Sequence, residues 1–91
     1  MEPEKVLEVI GLYRKRFEEL HIPKVDYPHD ELLESPEQGL AHCHGMLDKM
    51  EKFLAQGQWD KVQRWLGFIQ CQWWNAQVFV LDELKNHSKP N

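Results

Sequence analysis

The chain has 91 residues, 42% apolar and 29% charged, with a net charge of −4. That composition fits one soluble globular domain and excludes a disordered chain. The acidic balance argues against partners that need a basic footprint, namely nucleic acid and anionic membrane surfaces.

The opening MEPEKVLEVIGLYRKRF is acidic at its start, has no long apolar run and reads as no signal peptide. No stretch approaches the ~18 apolar residues of a membrane span. The expected location is therefore cytoplasmic, with Cys43 and Cys71 as reduced thiols in apolar sequence and a disulfide between them as the alternative.

The first helix is expected over 3–20. Pro3 suits the first turn, and Glu2 and Glu4 stand near the positive end of the helix dipole. Val6, Ile10, Tyr13, Phe17 and Leu20 recur at spacings of four and three, so one face meets partner helices. Arg14, Lys15 and Arg16 fan around the helix and read as solvated surface.

Residues 21–35, HIPKVDYPHDELLES, form a long connection, because Pro23 and Pro28 break any helix. Ile22, Val25, Tyr27, Leu32 and Leu33 make it an ordered loop that packs, with room for a short helical turn between Pro28 and Glu34. The second helix starts with Ser35 as N-cap, Pro36 at the first position and Gln38 completing a capping box. It is expected to reach Gln56 and stop at Gly57. After the tight Gly57–Trp59 turn a third helix is expected over 59–86, antiparallel to the second, with Pro90 marking its end. Gly45 and Gly67 fall at similar heights in that hairpin and point to close backbone approach there.

LAHCHGM, Leu40 to Met46, looks like a chelator. At about 100° per residue, however, His42 and His44 differ by about 200° and sit on opposite edges of the apolar arc. Helical histidines that share an ion need spacing of three or four. No metal site is expected from this pair; the alternative joins His44 to the loop through His29 and Asp30. Cys43 lies mid-arc with Leu40, Leu47, Met50 and Leu54 and reads as an inert core thiol.

The third helix is too apolar for one inward stripe. Val62, Leu66, Ile69, Trp73, Ala76, Val80 and Leu84 supply that stripe, while Phe68, Cys71, Trp74, Val78, Phe79 and Leu81 point largely the other way. Either the 21–35 loop covers the second set or a second copy of the chain does, and a homodimer with its two-fold axis near Trp74 and Val78 is favoured. An aromatic-lined ligand pocket is the alternative use of these rings.

Two carboxylate pairs, Glu31 with Glu34 and Asp48 with Glu51, resemble the magnesium-holding motifs of all-helical nucleotide pyrophosphohydrolases of the MazG type. The second pair is reversed from that family's order, and the first lies in the loop. His29-Asp30 is similar to the centre of an HD hydrolase motif, without the further ligands that family needs. No phosphate loop and no serine–histidine–acid set is present.

RWLGFIQ, Arg64 to Gln70, and LDELKNHSKP, Leu81 to Pro90, resemble the C-terminal half of small uncharacterised proteins of tailed phages and prophages. The resemblance covers residues 60–90 and implies a cytoplasmic accessory protein without catalytic residues.

The expectation is thus one all-α domain over 1–91: a three-helix bundle acting as a non-enzymatic interaction protein without cofactor, self-associating through the third helix. The alternative is a metal-dependent nucleotide hydrolase using Glu31, Glu34, Asp48 and Glu51.

Overall fold

In the computed structural model, which describes residues 2–89, the chain is all-helical: α1 (Pro3–Glu19), α2 (Pro36–Ala55), α3 (Trp59–Asn75) and α4 (Leu81–His87). Three expected helices become four, because the expected 59–86 helix is broken after Asn75 and the chain restarts at Leu81. Pro90 lies outside the described residues. None of the helices described is long and apolar enough to cross a membrane.

The break has a local cause shared by every long helix of the fold. α1, α2 and α3 each end in a left-handed residue, His21 at φ 57°, Gly57 at 73° and Gln77 at 62°. Each closes the same pair of backbone hydrogen bonds. Ile22, Gln58 and Val78 donate to the carbonyls of Phe17, Phe53 and Trp73, five residues back, and His21, Gly57 and Gln77 donate to Glu18, Leu54 and Trp74. This is the Schellman termination, which occupies carbonyls that the helix leaves unpaired. Glycine takes that conformation most readily, but only one of the three sites has it.

The break resets the helical register, and with it the sides on which residues 76–81 fall. Val78 and Phe79, expected outside, pack against the core. Val80, expected inside, is 61% exposed. α4 starts without a side-chain acceptor at Val80; instead the Glu83 carboxylate accepts the Val80 N–H at 3.1 Å. The start of α2 is shifted in a similar way. Pro36 opens the helix as expected, but the Gln38 side chain accepts the N–H of Glu34 rather than that of Ser35, and the Ser35 hydroxyl makes no cap bond.

The core sits between α1, α2 and α3. Val6, Ile10, Tyr13 and Phe17 from α1 meet Cys43, Leu47 and Met50 from α2 and Val62, Leu66, Ile69 and Trp73 from α3. Burying each large apolar side chain contributes about 1.5–3 kcal/mol. Aromatic rings run through this core as a column: His44 stacks on Phe17 at 4.8 Å, Phe17 on Trp73 at 4.2 Å, and Trp73 meets Tyr13 and Phe79 at 5.8 and 5.4 Å. The column ends on α4, where His87 meets Phe79 edge-on at 5.0 Å.

α4 is held down by polar bonds as well. The Tyr13 hydroxyl donates to His87 Nδ1 at 2.9 Å and accepts from Gln70 Nε2 at 3.1 Å. Gln70 Nε2 also donates to Ser88 Oγ at 2.8 Å. Burial is the main reason that the Tyr13 pKa rises to about 12, against a lowering effect of the Gln70 bond. Burial likewise pushes His87 below its ordinary value.

Residues 21–35 contain no helix, and their two halves behave differently. The first half lies along α2: the Val25 N–H donates to the Ala41 carbonyl at 3.2 Å, and Ile22 packs against the core. The loop passes Gly45 in ordinary van der Waals range, since a Cβ there would stand 3.8 Å from the Val25 carbonyl. The close approach expected between Gly45 and α3 is not found: the nearest neighbour of Gly45 is the loop, and there is room for a Cβ. Gly67 has open space beside it.

Candidate functional site

The open side of Gly67 begins a groove between α3 and α4. Gly67, Gln70, Cys71 and Trp74 supply one wall and Leu81, Leu84, Lys85 and Ser88 the other. Both sets follow the i, i+3, i+4, i+7 spacing of a single helical face. The two faces form an apolar channel of about 550 Å³ with no third element seated in it. Lys85 and Lys89 stand at its edge.

The six residues expected at an interface divide into three groups. Cys71, Trp74 and Leu81 line this groove, with Trp74 51% exposed. Phe68 is exposed on the neighbouring strip of α3, where it borders a second, smaller hollow with Leu33, Gly39 and Gln72. Val78 and Phe79 turn inward. Gln70 belongs to the intramolecular network with Tyr13 and Ser88. The loop does not roof the groove. Its second half instead carries Leu32 at 98% exposure, beside the exposed Leu33 and among Asp30, Glu31 and Glu34.

A second constellation lies where the loop crosses α2. His42, Gly45, Met46 and Lys49 share one face of α2, and the loop backbone passes it beside Gly45. Asp26 and His29 of the loop consequently stand over His42. One donor atom each from Asp26, His29 and His42 lie within 4.8 Å of one another. Asp26 Oδ1 is 3.8 Å from His42 Nδ1, and the rings of His29 and His42 meet edge-on at 5.9 Å. The Tyr27 N–H donates to His42 Nδ1 at 3.2 Å, so that nitrogen is unprotonated and faces the cluster. Lys49 Nζ donates to Asp26 Oδ2 at 3.2 Å. That bond is the main reason the Asp26 carboxyl lies below its usual range. Burial is the main reason His42 lies below its own, with Asp26 opposing.

The expected metal alternative of His29, Asp30 and His44 is corrected by this geometry. Only His29 joins the cluster; Asp30 is exposed outside it. His44 is buried, donates from Nδ1 to the Ile22 carbonyl at 2.8 Å and stacks on Phe17. The divergence of His42 and His44 around the helix holds, and each finds its partners separately. Sequence reasoning missed Asp26 and His42 as one set because their proximity depends on the loop lying along Gly45. Adjacent letters pointed at His44 instead.

The other candidates find structural roles. Cys43 is buried, and burial pushes its thiol up to about 12, where it is no nucleophile at neutral pH. Cys71 is exposed, and neither cysteine is in a disulfide. Asp48 and Glu51 both accept from Arg14 Nη2, at 2.8 and 2.6 Å, and Lys24 bonds Asp48 at 3.0 Å. Lys24 first, and Arg14 with it, hold the Asp48 carboxyl below its usual range. Glu31 and Glu34 are exposed loop residues, and among the described residues none of the four carboxylates belongs to a ligand cluster.

Comparison with family models, curated proteins and solved structures gives no match for this chain.

Proposed function

We propose that the chain is a small non-enzymatic interaction protein that pairs with a second copy of itself through the α3–α4 face. On this reading α1, α2 and α3 form a three-helix bundle and α4 is an added wall that turns one side of α3 into a receptor. The carrying observation is a complementarity within a single chain: an unfilled apolar groove edged by Lys85 and Lys89, and a fully exposed leucine set among acids. The occupant is the Leu32–Leu33 segment of the second copy, with Asp30, Glu31 and Glu34 meeting the lysines at the rim.

Phe68 borders the hollow that contains Leu33, and its helical neighbours Gly67 and Cys71 border the groove. Donor segment and receptor therefore flank the same strip of α3. A two-fold arrangement lets each copy fill the other's groove, which closes the assembly at a dimer. Each seated leucine would contribute about 1.5–3 kcal/mol, with Trp74 as the anchoring wall. Paired Asp48 and Glu51 leave the hydrolase alternative without a convergent metal site. We read the chain as a cytoplasmic accessory protein of phage type on the resemblance of residues 60–90 alone.

Light scattering across a concentration series tests the pairing. A dimer mass is expected for the native chain and a monomer mass for Leu32→Asp and Trp74→Asp. Lys85→Glu should weaken the dimer and Glu31→Lys should restore it in that background. A monomer at every concentration, or a dimer untouched by both leucine and tryptophan changes, overturns the proposal.

A further inference from the structure

We propose that Asp26, His29 and His42 form a binding site for one divalent transition-metal ion of the zinc class, which pins the 21–35 loop to α2. Its three ligands lie outside the α3–α4 groove, and the proposal does not depend on self-association.

Three features of the geometry carry the inference. The donor set comes first: two imidazoles and a carboxylate suit zinc and its first-row neighbours, whereas magnesium and calcium prefer oxygen donors throughout. The second feature is convergence. The three donor atoms already lie within 4.8 Å of one another, and tetrahedral zinc with bonds of about 2.0–2.1 Å needs its ligand atoms about 3.4 Å apart. Closing that gap takes side-chain rotations of about an ångström, and the exposed Asp26 and His29 are free to make them.

The third feature is the way the nitrogen of His42 is presented. Tyr27 N–H, on the same loop, holds Nδ1 in its unprotonated form and turned toward Asp26. An arriving ion there meets a lone pair and displaces one long backbone bond. The Val25 N–H bond to the Ala41 carbonyl holds the start of this segment on the helix. Three protein ligands leave at least one coordination position for water.

In the absence of an ion Lys49 supplies the positive charge, bonded to Asp26 on the oxygen not turned to His42. Metal and ammonium therefore compete for one carboxylate. This gives the site a signature that a scatter of surface histidines lacks: removing the lysine charge should strengthen metal binding, while removing any ligand should weaken it.

The test is a titration of the chain with zinc against a chromogenic chelator, in a Cys71→Ser background that removes the exposed thiol. One ion per chain is expected. His29→Gln, Asp26→Asn and His42→Gln should each weaken binding by about a hundredfold or more, the upper end of what even outer-shell changes do. Lys49→Met should tighten it severalfold. Circular dichroism of each variant reports folding; His29 is exposed and is in no hydrogen bond among the described residues, so His29→Gln remains decisive if His42→Gln disturbs the loop. Absence of stoichiometric binding overturns the site. So does binding that His29→Gln leaves unchanged, which would assign the ion to His21 or His87, and so does weakening by Lys49→Met.

Discussion

The two faces of α3 are made of similar residues and do opposite things. Toward the core, Val62, Leu66, Ile69 and Trp73 are sealed against α1 and α2. Away from it, Cys71 and Trp74 stand in an open channel whose far wall is a helix of seven residues, with Phe68 exposed on the strip beside it. Hydropathy alone does not separate these faces, since each carries a tryptophan and aliphatic or aromatic neighbours. What separates them is the number of elements available to cover them. Two long helices close the inner face, whereas the outer face has only α4, held by Leu84 and the Tyr13–Gln70–His87–Ser88 bonds.

The sharpest way to break the comparison is to truncate the two adjacent tryptophans separately. Trp73→Ala removes the centre of the aromatic column and is expected to cost about 3–5 kcal/mol in chemical denaturation. Trp74→Ala should leave monomer stability within about 1 kcal/mol and act on assembly instead. Equal losses of stability would show that the outer face belongs to the core after all.

A smaller effect tests whether polar bonds hold the far wall. Gln70→Ala leaves the buried Tyr13 hydroxyl without its donor and should cost about 1–2 kcal/mol. Acid should act on the same contact. The His87 pKa is pushed below its unfolded value, mainly by burial, so the unfolded chain takes up the proton more readily. The stabilisation is whole above the ordinary histidine value. It falls as pH drops through that value toward the folded one and is level below it. The melting temperature should therefore decline from neutral pH toward pH ~5. His87→Gln should flatten part of that decline, with His42, shifted the same way, supplying a remainder. A profile that His87→Gln leaves unchanged would remove His87 from the clamp.

The smallest change concerns the turn that creates the outer wall. Gln77 holds a left-handed conformation that costs a non-glycine residue about 1–2 kcal/mol, while glycine adds about 0.5–1 kcal/mol of unfolded-state entropy. Gln77→Gly should thus stabilise the fold by about 0.5–1 kcal/mol in a denaturant titration. Destabilisation would mean that the Gln77 side chain contributes something that its geometry does not reveal.

That turn also marks where the sequence stops being legible. The starts of α1, α2 and α3 are written in Pro3, Pro36 and the Gly57 turn, and the structure follows them closely. The end of α3 is not, because Gln77 occupies a position whose usual marker is glycine, and apolar residues continue on both sides of it. Losing that signal moved Val78 and Phe79 to the wrong face. Trp74, Cys71 and Leu81 were correctly read as outward, since they depend on α3 itself or on the start of α4. The loop cluster was legible only through His29. The contact of Asp26 with His42 spans sixteen residues and is set by a backbone crossing at Gly45, which no periodicity encodes.

The adjacency of Trp73 and Trp74 gives the molecule its own pair of optical reporters. The indole of Trp73 is fully buried and its Nε1 has no hydrogen-bond partner among the described residues, so its emission follows the integrity of the interior. The neighbouring indole faces solvent in the groove and is open to collisional quenchers until something shields it. With Trp59 and Trp65 replaced by phenylalanine, one residue step along the backbone therefore separates a fluorescent probe of unfolding from a probe of occupancy, and neither needs an attached dye.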